Sequence, residues 1–266
     1  MSETRTAPAI DHLVLARRDL EAAQAQYRRF GFTLTPEARH PFGTGNALAQ
    51  LQGSFLELLA VVEPERLVPM AEGRFSFGAF NADYLTRREG LSMVVLTSAD
   101  AEADNAAWAA RGLATYAPLH FSRQARQPDG SSATVAFSLA FAVDPAMPEA
   151  AFFVCQQHNP EAFWQPRYQQ HENGAVGITG VTMLAEALEA RRSFFERMVS
   201  PEAVRELEGG FEILLAEEDA DSLVLYELYQ DEAALEAHDA APYFQAYRAD
   251  TAAMIANRRR ILCRPA

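Results

Sequence analysis

Cysteine is nearly absent, with only Cys155 and Cys263 among 266 residues, so no disulfide framework holds this chain together. Long apolar runs are missing too. None approaches the roughly 18 residues that span a bilayer as a helix, and the first residues, "MSETRTAPAI", carry no apolar signal core. Positive charge is in short supply: 23 Lys and Arg stand against 36 Asp and Glu, a net charge of -13. Such a chain repels phosphate polyanions, which excludes broad nucleic-acid or anionic-membrane binding. The basic cluster Arg258–Arg260 is short and reads as a solvated strand start. Phosphate loops and nucleotide fingerprints are also lacking. What is abundant is apolar material, 49% of residues with 17 Phe, enough to fill a substantial core. The reading is an acidic, soluble, cytoplasmic protein.

Self-similarity organises the rest. "IDHLVLARRDLEAAQAQYRRFGF" (10–32) reads as a strand, a turn and an amphipathic helix, with Leu20, Ala23, Tyr27 and Phe30 as its apolar stripe and Gly31 as its stop. "LSMVVLTSADAEADNAAWAARGL" (91–113) repeats the layout. Asp19 and Asp100, Tyr27 and Trp108, and Gly31 and Gly112 are each 81 residues apart. A third start, "ITGVTMLAEALEARRSFFERMV", matches Leu20 to Leu188 and Tyr27 to Phe195 at a separation of 168. Three strand-like runs follow each of the first two helices: "FTLTPEAR", "GNALAQLQ" and "SFLELLAVV", then "ATYAPLHFSR", "ATVAFSLAFAV" and "AAFFVCQQ". The unit is βαβββ, used twice, with linkers at 64–89 and 158–176. Two such curved sheets side by side enclose a concave cavity. The expected class is therefore α+β, with a paired domain over 8–172 and a further α+β domain over 176–266.

One residue stands out in this pattern. In "SFLELLAVVEPE" alternation puts Phe55, Glu57, Leu59 and Val61 on one strand face, and a lone carboxylate amid that apolar surface needs a partner. His12 shares its face with Ile10 and Val14 by the same parity.

The motifs "DHLVLARRDLEAA", "RHPFGTGNALAQL", "FLELLAV", "RQPDG" and "CQQHNPEAFWQPRYQQHENGA", in order over about 8–200, resemble the glyoxalase-like domain proteins of the vicinal oxygen chelate superfamily. The resemblance implies a cupped mixed sheet. It also implies a divalent metal held by a His on the first strand of a module and a Glu on its last, matching His12 and Glu57, with Glu57 able to act as a base. Neutral imidazole plus carboxylate suits Zn²⁺, Fe²⁺, Mn²⁺ or Ni²⁺; a metal-free His12–Glu57 pair is the alternative. The second copy supplies Met93 and Phe153 at the equivalent positions, and the third start supplies Gly180, so the usual four-ligand set is missing. His40 in the first module, or His158, Gln156 and His171 from the second, are the candidates to complete it. Each is otherwise a hydrogen-bonding or surface side chain. Ala47 stands where relatives often carry a histidine.

Further ligand-facing candidates are Asn46 in the "HPFGTGN" turn, whose N–H groups suit an oxyanion or a plain hairpin, and Arg123 and Arg126. Those two arginines sit three apart on a strand, so at most one points inward, where it suits a carboxylate. Trp164 and Tyr168 wall the cavity or cover a sheet edge. Cys155 reads as core.

Beyond residue 200, "YELYQDEAALEAH" followed by "PYFQAY" resembles an antibiotic biosynthesis monooxygenase, a ferredoxin-like domain that generally works as a homodimer. Glu227, His238, Tyr243, Phe244 and Tyr247 then fall near that family's pocket or dimer face, or form a helix face packed on a sheet. Asp231 suits a helix N-cap, and Pro242 breaks or kinks that helix. A third module start competes for the same stretch. Three functions are in view: a metal-dependent lyase, isomerase or dioxygenase on a small oxygenated molecule, a metal-free binding or resistance protein, and a cofactor-independent monooxygenase centred on 176–266.

Overall fold

Apolar alternation along the first strand, β1 (Ile10–Ala16), leaves every residue of it buried, so it must lie inside a sheet covered on both sides. A computed structural model describes residues 8–127, 130–185, 187–207, 210–215, 225–229, 236–237, 239–240, 245 and 262–263. Residues 10–177 form one compact unit, and the described residues from 178 onward form another.

In the first unit β1 leads to α1 (Leu20–Arg29), the short β2 (Ala38–Arg39), β3 (Thr44–Gln50) and β4 (Phe55–Val61). After α2 (Phe77–Arg87), the same series recurs as β5 (Gly90–Thr97), α3 (Ala101–Ala110), β6 (Leu119–Arg126), β7 (Ser132–Ala142) and β8 (Ala151–Gln157). The eight strands form one cupped mixed sheet ordered β2-β3-β4-β1-β5-β8-β7-β6, so the halves mirror each other about the antiparallel β1–β5 seam. In each half the first strand runs parallel to the last, which the crossover helix makes feasible.

The 81-residue spacing now has a physical meaning. Asp19 caps α1 by accepting from the N–H of Ala22 at 2.9 Å, and Asp100 caps α3 by accepting from Ala103 at 3.0 Å. Gly31 and Gly112, at φ +83° and +76°, end the two helices in the left-handed region. Strand alternation sorts the two faces: Val14, Phe55, Leu59, Met93, Val95, Phe137, Phe141 and Phe153 belong to one core cluster.

Two sequence expectations are corrected. "FTLTPEAR" yields only the two-residue β2, because Thr33 bonds to the 158–176 linker, its N–H to His171 and its hydroxyl to the Gln170 carbonyl, rather than to a strand ladder. The linker at 64–89 holds the helix α2, capped by the Ser76 hydroxyl, which accepts from the Ala79 N–H at 3.1 Å. Phe77 and Phe80 of α2 join the core cluster between the two modules.

The 158–176 linker contains the one-turn α4 (Pro160–Phe163). In the second unit, β9 (Gly180–Leu184), α5 (Leu188–Met198), β10 (Val204–Leu207), β11 (Gly210–Leu214) and β12 (Leu225–Tyr229) form a sheet ordered β10-β11-β12-β9-β13, with β13 (Leu262–Cys263) on the far edge. Here too the first strand is parallel to the fourth. The third start thus follows the module order, and β13, parallel to β9, extends it.

Candidate functional site

Glu57 sits mid-strand on β4, only 4% exposed, and its partners come from three neighbouring segments. The Asn46 amide N–H on β3 donates to Glu57 Oε1 at 2.6 Å. His12 Nε2 on β1 lies 3.6 Å from Oε2, and His40 Nε2, just past β2, lies 3.9 Å from Oε1. His12 and Glu57 thus lie side by side on one face of the sheet.

A residue passed over in the sequence organises this site. β1 carries a register shift between Ile10 and His12, a bulge that breaks alternation at Asp11. The Asp11 carboxylate thereby reaches the Nδ1 of its neighbour His12 and also accepts from the Gln157 amide at 2.8 Å. With Nδ1–H donating to Asp11, Nε2 is the nitrogen turned to Glu57. Phe55 stacks on the ring at 4.2 Å and Phe153 meets it edge-on at 5.6 Å, which fixes its plane. The adjacent "DH" pair was the available signal, but a regular strand would send the two side chains apart.

His40 is held as a neutral base. Burial, and then the charges of Arg123 and His12, depress its pKa to about 3. The neutral ring accepts from Asn46 Nδ2 at 3.3 Å and donates from Nδ1 to Thr44 Oγ1 at 2.8 Å. Burial pushes Glu57 in the opposite direction, above the ordinary carboxylate range, against the lowering effects of His12, the Asn46 bond and Arg123. Cys155, expected as core, also lines the cavity, where burial raises its thiol well above the usual value.

The space around these groups amounts to about 430 Å³ including its open part, and its remaining lining is mainly phenylalanine, from Phe42 and Phe77 to Phe137 and Phe163. Arg123 on β6 faces into it, and alternation turns Arg126 to the exposed side, so Arg126 is corrected to a surface residue. His158 is corrected likewise. Its Nε2 bonds to the Ser138 hydroxyl at 2.7 Å, and Ser138 lies between Phe137 and Leu139, the two β7 residues that line the cavity. Alternation therefore places Ser138 on the opposite face of the sheet.

The other ligand candidates have structural roles. Gln156 donates to the Ala99 carbonyl and accepts from Ala101 at the start of α3. His171 bridges the Thr33 N–H and the Gln50 carbonyl. Trp164 packs its ring on Phe55 and Phe163 at the cavity's edge. The "HPFGTGN" segment is a hairpin turn whose Gly43 N–H goes to the His40 carbonyl, so it offers no oxyanion cradle there. His238, Tyr243, Phe244 and Tyr247 lie outside the described residues, and of Glu227 only the backbone, within β12, is described.

A resident divalent metal needs at least three side-chain donors here. His12 and Glu57 converge, and Asp11 behind His12 is the support that metal-bound histidines use. The Asn46 amide, however, points its N–H groups, not its oxygen, at Glu57 and His40. Among the described residues no group of three or more His, Cys, Asp or Glu is arranged to hold a metal ion. Besides His12 and Glu57 the donor at hand is His40, whose Nε2 lies 3.9 Å from Glu57 Oε1 but accepts from the Asn46 amide, so a metal there would have to displace that bond.

No helix among the described residues is long and apolar enough to cross a membrane. A search of curated protein sequences finds no match. Among solved structures, a hypothetical protein from Staphylococcus aureus superimposes with a TM-score of 0.65 at 16% identity, covering 83% of this chain and 85% of that one. Methylmalonyl-CoA epimerase from Mycobacterium tuberculosis aligns at 17% identity with a TM-score of 0.42, over 62% of this chain and 97% of that one. A Streptomyces coelicolor methylmalonyl-CoA epimerase variant in complex with 2-nitronate-propionyl-CoA gives 0.40 at 18% identity, over 57% and 99%. The antibiotic biosynthesis monooxygenase profile matches residues 186–250. The glyoxalase-like domain profile matches residues 10–199, and with the doubled βαβββ sheet now described, the chain belongs to the glyoxalase-like domain family of the vicinal oxygen chelate superfamily.

Proposed function

We propose that the cavity of residues 10–177 binds a small oxygenated molecule and moves a proton on it, as an isomerase or lyase with Glu57 as the base. The observation that carries this reading is a fully buried carboxylate in an aromatic cavity, oriented by the Asn46 N–H at 2.6 Å and flanked by an imidazole whose other nitrogen is held by Asp11. Burial makes Glu57 a stronger base than a solvated carboxylate, which brings it toward the strength that proton abstraction at neutral pH requires. In the step, the C–H bond next to a carbonyl breaks and its proton passes to Glu57. The electron pair shifts to the carbonyl oxygen. Return of the proton to the opposite face of the same carbon completes a stereochemical isomerisation; loss of a leaving group from the neighbouring carbon completes an elimination. His12, with Nδ1–H fixed on Asp11, positions Nε2 to share the proton with Glu57.

The test is solvent deuterium exchange into enolisable carbonyl compounds followed by NMR. The native protein is expected to catalyse exchange and Glu57→Gln to lose it by at least about a hundredfold, the scale on which positioned bases act. Tight binding without exchange in the native protein would instead mark a sequestering protein. The metal-dependent lyase or dioxygenase expected from the family would need His40 to leave the Asn46 amide and join His12 and Glu57 as a third donor. Stoichiometric uptake of Mn²⁺, Fe²⁺, Ni²⁺ or Zn²⁺ by untagged protein, abolished in Glu57→Gln, would favour it over the reading above.

A further inference from the structure

Arg123 poses a problem that the proton-transfer chemistry does not solve. It lies on β6 at an inward position and lines the cavity, yet among the described residues no hydrogen bond or ion pair holds its guanidinium, and its Nε is buried without a partner. Glu57 is close enough for the two charges to influence each other, but its carboxylate is already bonded by Asn46 and faced by His12 and His40. A half-buried guanidinium whose Nε is buried without a partner costs free energy unless a ligand supplies the anion. Its planar fork fits a carboxylate through two parallel N–H···O bonds. It is the only Lys or Arg among the described residues of the lining, so it balances one negative charge and no more. A phosphate dianion would lack a second cation and would meet the Glu57 carboxylate. The walls beside Arg123 are Phe121, Phe137 and Phe163, which accept a flat apolar body and offer no hydrogen bonds.

We infer that the ligand of this cavity is a small organic carboxylate with an apolar body of about aromatic size, its carboxylate held by Arg123. The inference rests on the proposed use of the cavity as the substrate site, and it names the substrate class.

The test compares phenylacetate with its neutral isostere phenylacetamide, by calorimetry and by NMR shift mapping on the intact protein. Phenylacetate is expected to bind at least tenfold more tightly. Arg123→Gln should erase that preference, Arg123→Lys should keep part of it, and Glu57→Gln should keep it in full while losing deuterium exchange. Absence of exchange in the native protein, with its preference for phenylacetate intact, would therefore sink the proton-transfer proposal and leave this one standing. Equal affinity for the two probes in the native protein, no binding of either, or tighter binding of inorganic phosphate would each overturn the inference, and none of these three readouts depends on a variant folding.

Discussion

At the scale of single residues, the site is a set of opposed titrations. Glu57 carries a raised pKa in the folded protein, so the folded state holds a proton more tightly than the unfolded chain does. Its contribution to stability is present at low pH and is lost as pH rises from about 4.5 through the raised value. Glu57→Gln, which cannot ionise, is expected to be more stable than the native protein at pH 7, as read from urea denaturation. His40 has the opposite sign. Folding lowers its pKa to about 3, so the unfolded chain takes up a proton below pH 6.5 that the folded protein refuses. Stability therefore falls as pH drops from about 6.5 toward 3. Between pH 7 and pH 5, native protein should lose about 2 kcal/mol that His40→Gln does not lose, because the Glu57 contribution is common to both. A native protein with no extra acid sensitivity would show that His40 is solvated.

Among the elements, the bulge on β1 and the β2–β3 turn determine the geometry. The bulge turns Asp11 toward its neighbour's ring, so Asp11→Asn should leave the fold intact and lower exchange activity by about tenfold to a hundredfold through loss of ring orientation. A larger effect on KM than on kcat would contradict that role. The turn that places His40 depends on Gly43, at φ +90°, where an added Cβ would stand 2.6 Å from the Glu63 carbonyl oxygen. Gly43→Ala is expected to cost about 1–3 kcal/mol in urea titration, since both left-handed strain and a backbone clash oppose it. The helix α2 shows what short-range reading missed. Ser76 as a cap, with Phe77, Phe80 and Tyr84 at helical spacing, was in the sequence, but Gly78 in the first turn masked it.

For the whole molecule, the cavity is built entirely from residues 12–163, within the first compact unit. A chain of residues 8–177 should therefore fold cooperatively, by circular dichroism and urea titration, and bind phenylacetate as the full chain does. Failure to fold would mean that the second unit is needed to complete the first. The two modules play unlike parts in one sheet. The first provides His12, His40, Asn46 and Glu57 with Phe42 and Phe55; the second provides Arg123 with Phe121, Phe137 and Phe153. Met93 and Phe153, at the positions equivalent to His12 and Glu57, explain why duplication of the fold did not duplicate the polar centre.

The sequence by itself determined the repeat, the two helices, the alternation of the strands and the need of Glu57 for a partner, because each follows from local periodicity or from the cost of burying a lone charge. That the partner is His12 came from the resemblance to the superfamily. Only the tertiary structure decided the rest. A one-residue bulge reversed the direction of Asp11, and the side of the sheet on which a hairpin falls sent Arg123 inward and left Arg126 and His158 outside. Facing across strands is set by register and curvature, which are summed over many distant contacts and have no signature in any short stretch of chain.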